Sequence, residues 1–212
     1  IHGEVTDRNI DIFDREKVFI NTVLEKIRTD NPTLKVIIEH ITTKDAVDYV
    51  IAGKNNLAAT ITTHHLAINR NDLLAGGIKP HFYCLPVVKR EDHRLALVEA
   101  AVSGSPKFFL GTDSAPHLDH DKESSCGCAG CFTATNTLEI LAHIFEERSA
   151  LNKLELFTSI NGAEFYEKNI NTDKIKLIKK DKPVSFPKKL STPLGKITIF
   201  KPNFETKWQV LA

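Results

Sequence analysis

Short apolar runs alternate with amphipathic helical stretches along most of the chain. Apolar residues recur at helical spacing over 14–28, and a short apolar run follows over 34–39. The alternation continues with a predicted helix over 44–52 that Thr42 or Thr43 caps, a strand over 57–62, a helix over 94–102, a strand over 107–110 and a helix over 134–147. Strands that alternate with helices indicate parallel pairing, so we predict an α/β fold.

The pattern contains four strand–helix units if Ile1-His2 is the end of a first strand. A closed (β/α)₈ barrel of the TIM type needs eight units and roughly 250 residues. We therefore predict half of such a barrel over 1–167, with long loops after residue 62 and over 112–132. We expect a short C-terminal extension over 168–212 that packs on the barrel, with a solvated basic face over 174–182 and a strand over 196–200. Because no initiator methionine is present, we expect Ile1 to be an internal residue of a longer protein.

The charge balance gives no reason to expect nucleic acid or an acidic membrane as a partner. There are 28 basic and 27 acidic side chains, for a net charge of +1. No apolar run approaches the ~18 residues of a membrane helix, so we expect a cytoplasmic protein. The four cysteines lie at 84, 126, 128 and 131, a spacing too tight for a disulfide framework, and we expect reduced thiols.

Polar side chains stand where the predicted strands end. His2 ends the first strand, His40 the second and Asp113 the fourth, while His64 and His65 follow the third. In parallel barrels these ends form one rim, where active sites are built. Imidazole and carboxylate groups suit Zn²⁺. A histidine at a strand end is more often structural than a ligand, however, so the spacing alone leaves both interpretations open.

Literal motifs narrow the choice. In chain order they are His2-Gly-Glu-Val5, Glu39-His-Ile-Thr-Thr-Lys-Asp45, Pro80-His-Phe-Tyr-Cys-Leu-Pro86, Leu110-Gly-Thr-Asp-Ser-Ala-Pro-His117 and Glu123-Ser-Ser-Cys-Gly-Cys-Ala-Gly-Cys131. In this order and at these intervals the chain resembles the bacterial class II dihydroorotases of the amidohydrolase superfamily. The resemblance covers residues 1–167 and implies that the half barrel is the C-terminal one, with strands five to eight.

The resemblance implies a zinc-dependent, reversible cyclisation of N-carbamoyl-L-aspartate to L-dihydroorotate in de novo pyrimidine biosynthesis. It implies two zinc ions per subunit, bridged by a carbamylated lysine that this chain lacks and by a water or hydroxide that acts as the nucleophile. His2 and His40 would bind one zinc, and Asp113 would bind the other and shuttle the proton. His117 and backbone groups of Ala129 would contact the carboxylate of this small-molecule substrate.

The same resemblance implies that main-chain groups of Leu85 hold the pyrimidine ring and that the protein is a homodimer. The family's His-x-His pair and its bridging lysine are not found in the 212 residues. We therefore predict that this polypeptide alone neither closes the barrel nor holds both metals. Two alternatives stay open: a hydantoinase, allantoinase or deacetylase with the same metals and another substrate, and a non-catalytic barrel subunit.

Three further interpretations concern the rim. The Cys-x-Cys-x-x-Cys segment over 126–131 is interpreted as a glycine-rich loop over the mouth of the site; a structural zinc there would need a fourth ligand such as Cys84. We expect His64 and His65 to form hydrogen bonds within the rim rather than to bind metal. Glu39 is interpreted as structural.

Overall fold

A three-stranded parallel sheet lies at the centre of the protein, whose computed structural model describes residues 1–211. The strands are β1 (Val36–Ile38), β2 (Leu57–Ile61) and β3 (Phe108–Leu110). Strand β2 lies between the other two, and both pairings are parallel. All five β2 residues are buried, as expected for a strand covered on both faces. The prediction of an α/β fold with parallel strands is confirmed, although each strand is shorter than predicted.

The first two residues continue this sheet beyond β1. The Ile1 nitrogen donates to the Ile37 carbonyl (2.8 Å), and the Glu39 N–H donates to the Ile1 carbonyl (3.0 Å). His2 and Glu39 form a parallel bridge. Ile1-His2 therefore lies beside β1 as the end of a further parallel strand, as the sequence pattern predicted.

The larger predicted helices are present, and all but the one over 44–52 have shifted ends. They are α1 (Arg15–Phe19), which a π-turn (Ile20–Leu24) joins to α2 (Glu25–Asp30), α3 (Lys44–Ala52), α6 (Glu91–Val102) and α8 (Thr137–Glu147). The Thr43 side chain caps α3 by accepting from the Ala46 N–H, which decides between the two predicted caps. Helix α6 begins earlier than predicted because Glu91 and Asp92 fit its first turn, where acidic side chains are stabilised by the helix dipole.

The predicted long loops contain helices, so that part of the prediction is wrong. The first holds α4 (Thr63–Ala67), α5 (Arg70–Leu74) and a 3₁₀ turn (Pro80–Phe82), and the second holds α7 (Asp119–Lys122). Side-chain caps explain the first two: Thr62 accepts from the His65 N–H, and Asn69 forms a capping box with Asp72. Helices of five residues are too short to show a periodic pattern, so their capping residues are the only local sequence signal for them.

The C-terminal segment forms two small antiparallel pairs after a 3₁₀ turn (Leu151–Lys153), a π-turn (Leu156–Ile160) and α9 (Asn161–Phe165). Strand β4 (Lys176–Lys179) pairs with β7 (Trp208–Leu211), and β5 (Lys189–Thr192) pairs with β6 (Gly195–Thr198). The Thr206 hydroxyl and the Trp208 indole bond to α8, at the Glu139 carbonyl and the Glu146 carboxylate. Within residues 1–211, no helix combines the length and the apolar character needed to cross a bilayer.

A buried carboxylate ties the first helix to the loop after His40. Glu16 is 1% exposed and accepts four groups, the N–H and hydroxyl of both Thr42 and Thr43. Each of these donors lies more than 25 residues away along the chain, at the start of α3. Glu16 therefore fixes the backbone that immediately follows the His40 strand end.

Removal of this carboxylate is expected to destabilise the fold. For Glu16→Ala we expect the free energy of unfolding to fall by about 3 kcal/mol, because a buried cluster of charge-assisted hydrogen bonds loses its only acceptor. Chemical denaturation measures the change. The control is Glu25→Ala, which removes an exposed bond to the Tyr49 hydroxyl and should cost under about 1 kcal/mol. Equal losses in the two variants would contradict the anchoring role.

Candidate metal centre and substrate site

Two histidine rings meet where adjacent parallel strands end. Nδ1 of His2 lies 3.2 Å from Nε2 of His40, and the ring centroids are 4.8 Å apart. The other nitrogen of His2 lies 3.2 Å from the Glu4 carboxylate, which orients the ring. The sequence placed both histidines at strand ends, and the sheet brings their imidazoles into contact.

The spacing of these two nitrogens suits a shared zinc ion. With Zn–N bonds of about 2.0–2.1 Å and tetrahedral angles, two imidazole ligands place their nitrogens about 3.3 Å apart. Burial is the main cause that lowers the pKa of His40, although the Asp113 carboxylate partly opposes it. A neutral imidazole is the form that binds metal. The donor set of His2 and His40 therefore fits one zinc.

Asp113 follows β3, which is separated from β1 by β2. The three parallel strands end on one side of the sheet, and Asp113 lies close enough to His40 and His64 to oppose the lowering of their pKa values. Gly111 lets this segment approach β2, since a Cβ there would lie 2.6 Å from the Thr60 Cβ. The sheet thus places this carboxylate and the histidine pair at the same ends of parallel strands, and their role as ligands stays a prediction.

His40 and Asp113 share an unusual backbone conformation. Each has φ of +42°, in the left-handed region that residues other than glycine rarely adopt. Cys128, next to Ala129, also has a positive φ of +27°. Strained residues cluster where a side chain must point in one required direction. Of the five such residues within 1–211, two are the predicted ligands and Cys128 adjoins a predicted substrate contact, while Ser149 and Glu167 follow α8 and α9.

Thr60 supports His40, and the sequence analysis missed it. Its hydroxyl oxygen accepts from the His40 N–H (2.6 Å) while its proton goes to the Glu39 carboxylate (2.6 Å). One hydroxyl therefore holds the backbone of the ligand and the side chain before it. Its position in an apolar strand was the available signal, because a threonine in such a run needs a partner. The interpretation of Glu39 as structural agrees with this bond.

The two central histidines behave differently from each other. His65 accepts from the Thr62 hydroxyl (2.8 Å) and donates through Nε2 to the Pro86 carbonyl (2.8 Å), as predicted for a group bonded within the rim. His64 is completely buried, and neither of its nitrogens has a hydrogen-bond partner within residues 1–211. The prediction of a bonded His64 is therefore wrong for the part of the protein described.

A second group of residues that could hold a metal ion is buried in the protein. His64, His65 and Cys84 bring one ligand atom each within 4.8 Å of one another, and the group includes neither Cys126 nor Cys128. Both nitrogens of His65 are already engaged, and the Cys84 thiol lies 3.4 Å from the Pro86 carbonyl. We therefore interpret this group as part of the buried core. The Cys131 thiol does lie beside that of Cys84, but Cys126 and Cys128 are absent from the group, so the geometry does not favour a zinc site made of Cys84 and all three cysteines of the segment.

The predicted substrate contacts lie on two loops that touch. Nε2 of His117 lies 3.1 Å from the Ala129 carbonyl, and the Gly130 N–H donates to the Tyr83 carbonyl (2.9 Å). Leu85, two residues beyond Tyr83, is 38% exposed. The cysteine segment therefore does pack against the segment that leads to Leu85, and His117 lies between it and the strand end at Asp113.

Known proteins with the same sequence pattern share one activity. The dihydroorotase of Ruegeria sp. (strain TM1040) is 62% identical over 209 residues, which are 99% of this chain and 60% of that protein. The dihydroorotase of Agrobacterium fabrum (strain C58 / ATCC 33970) is 58% identical over 210 residues, 99% of this chain and 61% of that protein. This chain is a homologue of the dihydroorotases.

Solved structures agree with the sequence relatives. The dihydroorotase of Saccharomyces cerevisiae in complex with 5-fluoroorotic acid superposes with a TM-score of 0.87 at 36% identity, over 99% of this chain and 62% of that one. The dihydroorotase of Campylobacter jejuni gives a TM-score of 0.87 at 33% identity, over 100% of this chain and 60% of that one. No protein-family model matches the chain. The chain spans about three fifths of the length of the curated relatives that it matches.

The buried His64 makes the stability of this dihydroorotase homologue depend on pH. Burial lowers the pKa of His64 from 6.5 to about 4. Between these values the unfolded chain binds a proton that the folded chain does not, so stability falls as the pH falls. From pH 7 to pH 5 we expect a loss of about 2 kcal/mol from this residue.

Urea unfolding of His64→Leu at both pH values tests this expectation. The loss between pH 7 and pH 5 should shrink by about 2 kcal/mol in the variant, because leucine takes up no proton. His120→Leu, which removes an exposed ring, should keep the full loss. A His64→Leu protein that weakens as steeply as the wild type would show that His64 does not carry the effect.

Proposed function

We propose that this chain supplies the C-terminal half of a (β/α)₈ dihydroorotase barrel, strands five to eight, over 1–167, with 168–212 as an extension packed on it. The contact between the His2 and His40 imidazoles, 3.2 Å apart at adjacent parallel strand ends, carries the proposal. The relatives named dihydroorotase support the same substrate, N-carbamoyl-L-aspartate in exchange with L-dihydroorotate.

His2 and His40 would hold one zinc ion, and Asp113 would bind a second. A carbamylated lysine, which these 212 residues do not supply, would be a further ligand. Bound zinc supplies a Lewis acid that polarises the ring amide carbonyl and makes water more acidic. The chain's own contribution is to fix the ligands, through Thr60 at the His40 backbone and Glu4 at the His2 ring.

Asp113 would move the proton. In the hydrolytic direction its carboxylate takes a proton from the attacking water and returns it to the ring nitrogen, so that the C–N bond breaks with a neutral leaving group. His117 and the Ala129 backbone would bind the substrate carboxylate, and main-chain groups of Leu85 would hold the ring. The near-neutral charge gives no support for nucleic acid as a partner, and we propose a cytoplasmic homodimer that acts on this small molecule.

Turnover and metal content of the whole protein that carries these residues test the proposal together. We expect turnover of dihydroorotate and carbamoyl-aspartate, little turnover of hydantoin or allantoin, and about two zinc ions per chain. A preference for hydantoin or allantoin would indicate another cyclic amidohydrolase. A protein without zinc and without turnover would instead be the non-catalytic barrel subunit.

A further inference from the structure

The ammonium group of Lys122 lies buried among three backbone carbonyls. The residue is 3% exposed, and Nζ donates to the carbonyls of Tyr83 (2.8 Å), Cys128 (2.7 Å) and Gly130 (2.9 Å). All three N–H bonds of the ammonium are thereby used. No salt bridge to Lys122 forms within residues 1–211, so its charge is compensated by these neutral carbonyls and by the Tyr83 ring, whose centroid lies 5.7 Å from Nζ.

These three carbonyls belong to two different loops. The Tyr83 carbonyl lies in the segment that leads to Leu85, while Cys128 and Gly130 flank Ala129 on either side. The Gly130 N–H also donates to the Tyr83 carbonyl, beside the ammonium. Lys122 is therefore the point at which the two loops with predicted substrate contacts are joined.

The bond to Cys128 fixes the direction of a neighbouring N–H. In a trans peptide the carbonyl and the N–H of one unit point to opposite sides. Because the Cys128 carbonyl points at the ammonium, the Ala129 N–H in the same unit points away from it. Among the described residues this N–H finds no backbone acceptor, whereas the Ala129 carbonyl contacts His117. The Cys128 and Ala129 carbonyls both have partners, whereas the Ala129 N–H remains available to donate to a ligand.

We propose that Lys122 is a positioning residue that aims the Ala129 N–H at the substrate carboxylate and joins this loop to the Leu85 segment. The inference rests on the proposed function, since the carboxylate is that of the dihydroorotase substrate. All three N–H bonds of the Lys122 ammonium go to backbone carbonyls, so none is left for a substrate. Its role follows from the peptide units that it holds, and burial lowers the pKa of its amine without removing its donors.

Lys107 offers a matched control at the other end of the sheet. Its ammonium also donates to three carbonyls, those of Val50, Ile51 and Gly53, at the end of α3. It directly precedes β3, whereas Asp113 follows that strand. Lys107→Met therefore removes the same kind of three-carbonyl contact from the fold, but not from the site.

Steady-state kinetics of the zinc-loaded whole protein test the role of Lys122. For Lys122→Met we expect KM for dihydroorotate to rise by about ten-fold or more, the size expected when an anion loses one aligned donor, with kcat within about three-fold and zinc content unchanged. Lys122→Arg keeps the charge and some donors, so its KM should lie between those of the wild type and Lys122→Met. Lys107→Met should lower Tm and leave KM unchanged.

Hydrogen–deuterium exchange without substrate gives a second readout that does not depend on turnover. Amides over 126–131 should exchange faster in Lys122→Met than in the wild type or in Lys107→Met, because the loop has lost its tether. If Lys122→Met does not fold, KM and amide exchange are compared in Lys122→Arg instead, where we expect smaller differences from the wild type. A KM within two-fold of wild type in the folded variant overturns this inference alone, whereas no turnover by the wild type overturns the proposed function and this inference with it.

Discussion

Asp113→Asn should lower kcat for dihydroorotate by about a thousand-fold or more in the whole protein, because an amide cannot take up and return the proton of the reaction. Asparagine tolerates the left-handed backbone that residue 113 adopts, so the substitution changes the chemistry and leaves the backbone unstrained. Initial rates at saturating substrate measure the loss. The circular dichroism spectrum should match that of the wild type.

Asp48→Asn is the matched control for this variant. Asp48 pairs with Lys44 on the exposed surface of α3, and its conversion to the amide should leave kcat unchanged. A folded Asp113→Asn protein that retained more than about a tenth of the wild-type kcat would exclude Asp113 as the proton shuttle.

His40→Asn should remove zinc from the rim and activity with it. The His2 and His40 nitrogens are spaced as two ligands of one tetrahedral ion, so the loss of one imidazole leaves too few ligands to retain it. We expect the zinc content of the purified protein to fall from about two ions per chain to about one or fewer, with kcat reduced at least about a hundred-fold. Metal analysis by mass spectrometry measures the first change independently of turnover.

His120→Asn provides the comparison for that measurement. This ring is exposed beside Asp121 and lies outside the histidine pair, so zinc content and rate should both be unchanged. Full zinc occupancy in His40→Asn would mean that the imidazole contact is a hydrogen bond in the core and that the ions bind elsewhere.

The parts of the fold that local pattern controls could be predicted from the sequence. The parallel strands and α3 follow from apolar runs and a threonine cap. The strand ends give His2 and His40 as neighbours and place Asp113 on the same rim, because parallel strands share one rim. The short helices α4 and α5 were missed because five residues carry no visible period. The antiparallel pairing of β4 with β7 joins segments about thirty residues apart, which no local pattern specifies.

The groups that support the candidate ligands were not predictable for the same reason. Thr60 bonds to His40 across 20 positions, and Lys122 reaches Tyr83 across 39. Nothing local to a lysine in a polar segment shows that three carbonyls will surround it. The prediction for His64 failed in the opposite way. A polar side chain next to a strand end suggests a hydrogen-bond partner, but tertiary packing buries this ring, and it has no partner within the described residues.

The left-handed backbone at His40 and Asp113 sets catalysis and folding against each other at the same two positions. Replacement of either residue by glycine would relieve the conformational strain while it deletes a proposed ligand, so such a protein would tolerate more heat and lose the proposed chemistry. Selection for thermal tolerance alone would therefore favour inactive variants. Any programme of directed evolution on this scaffold has to score turnover at every round.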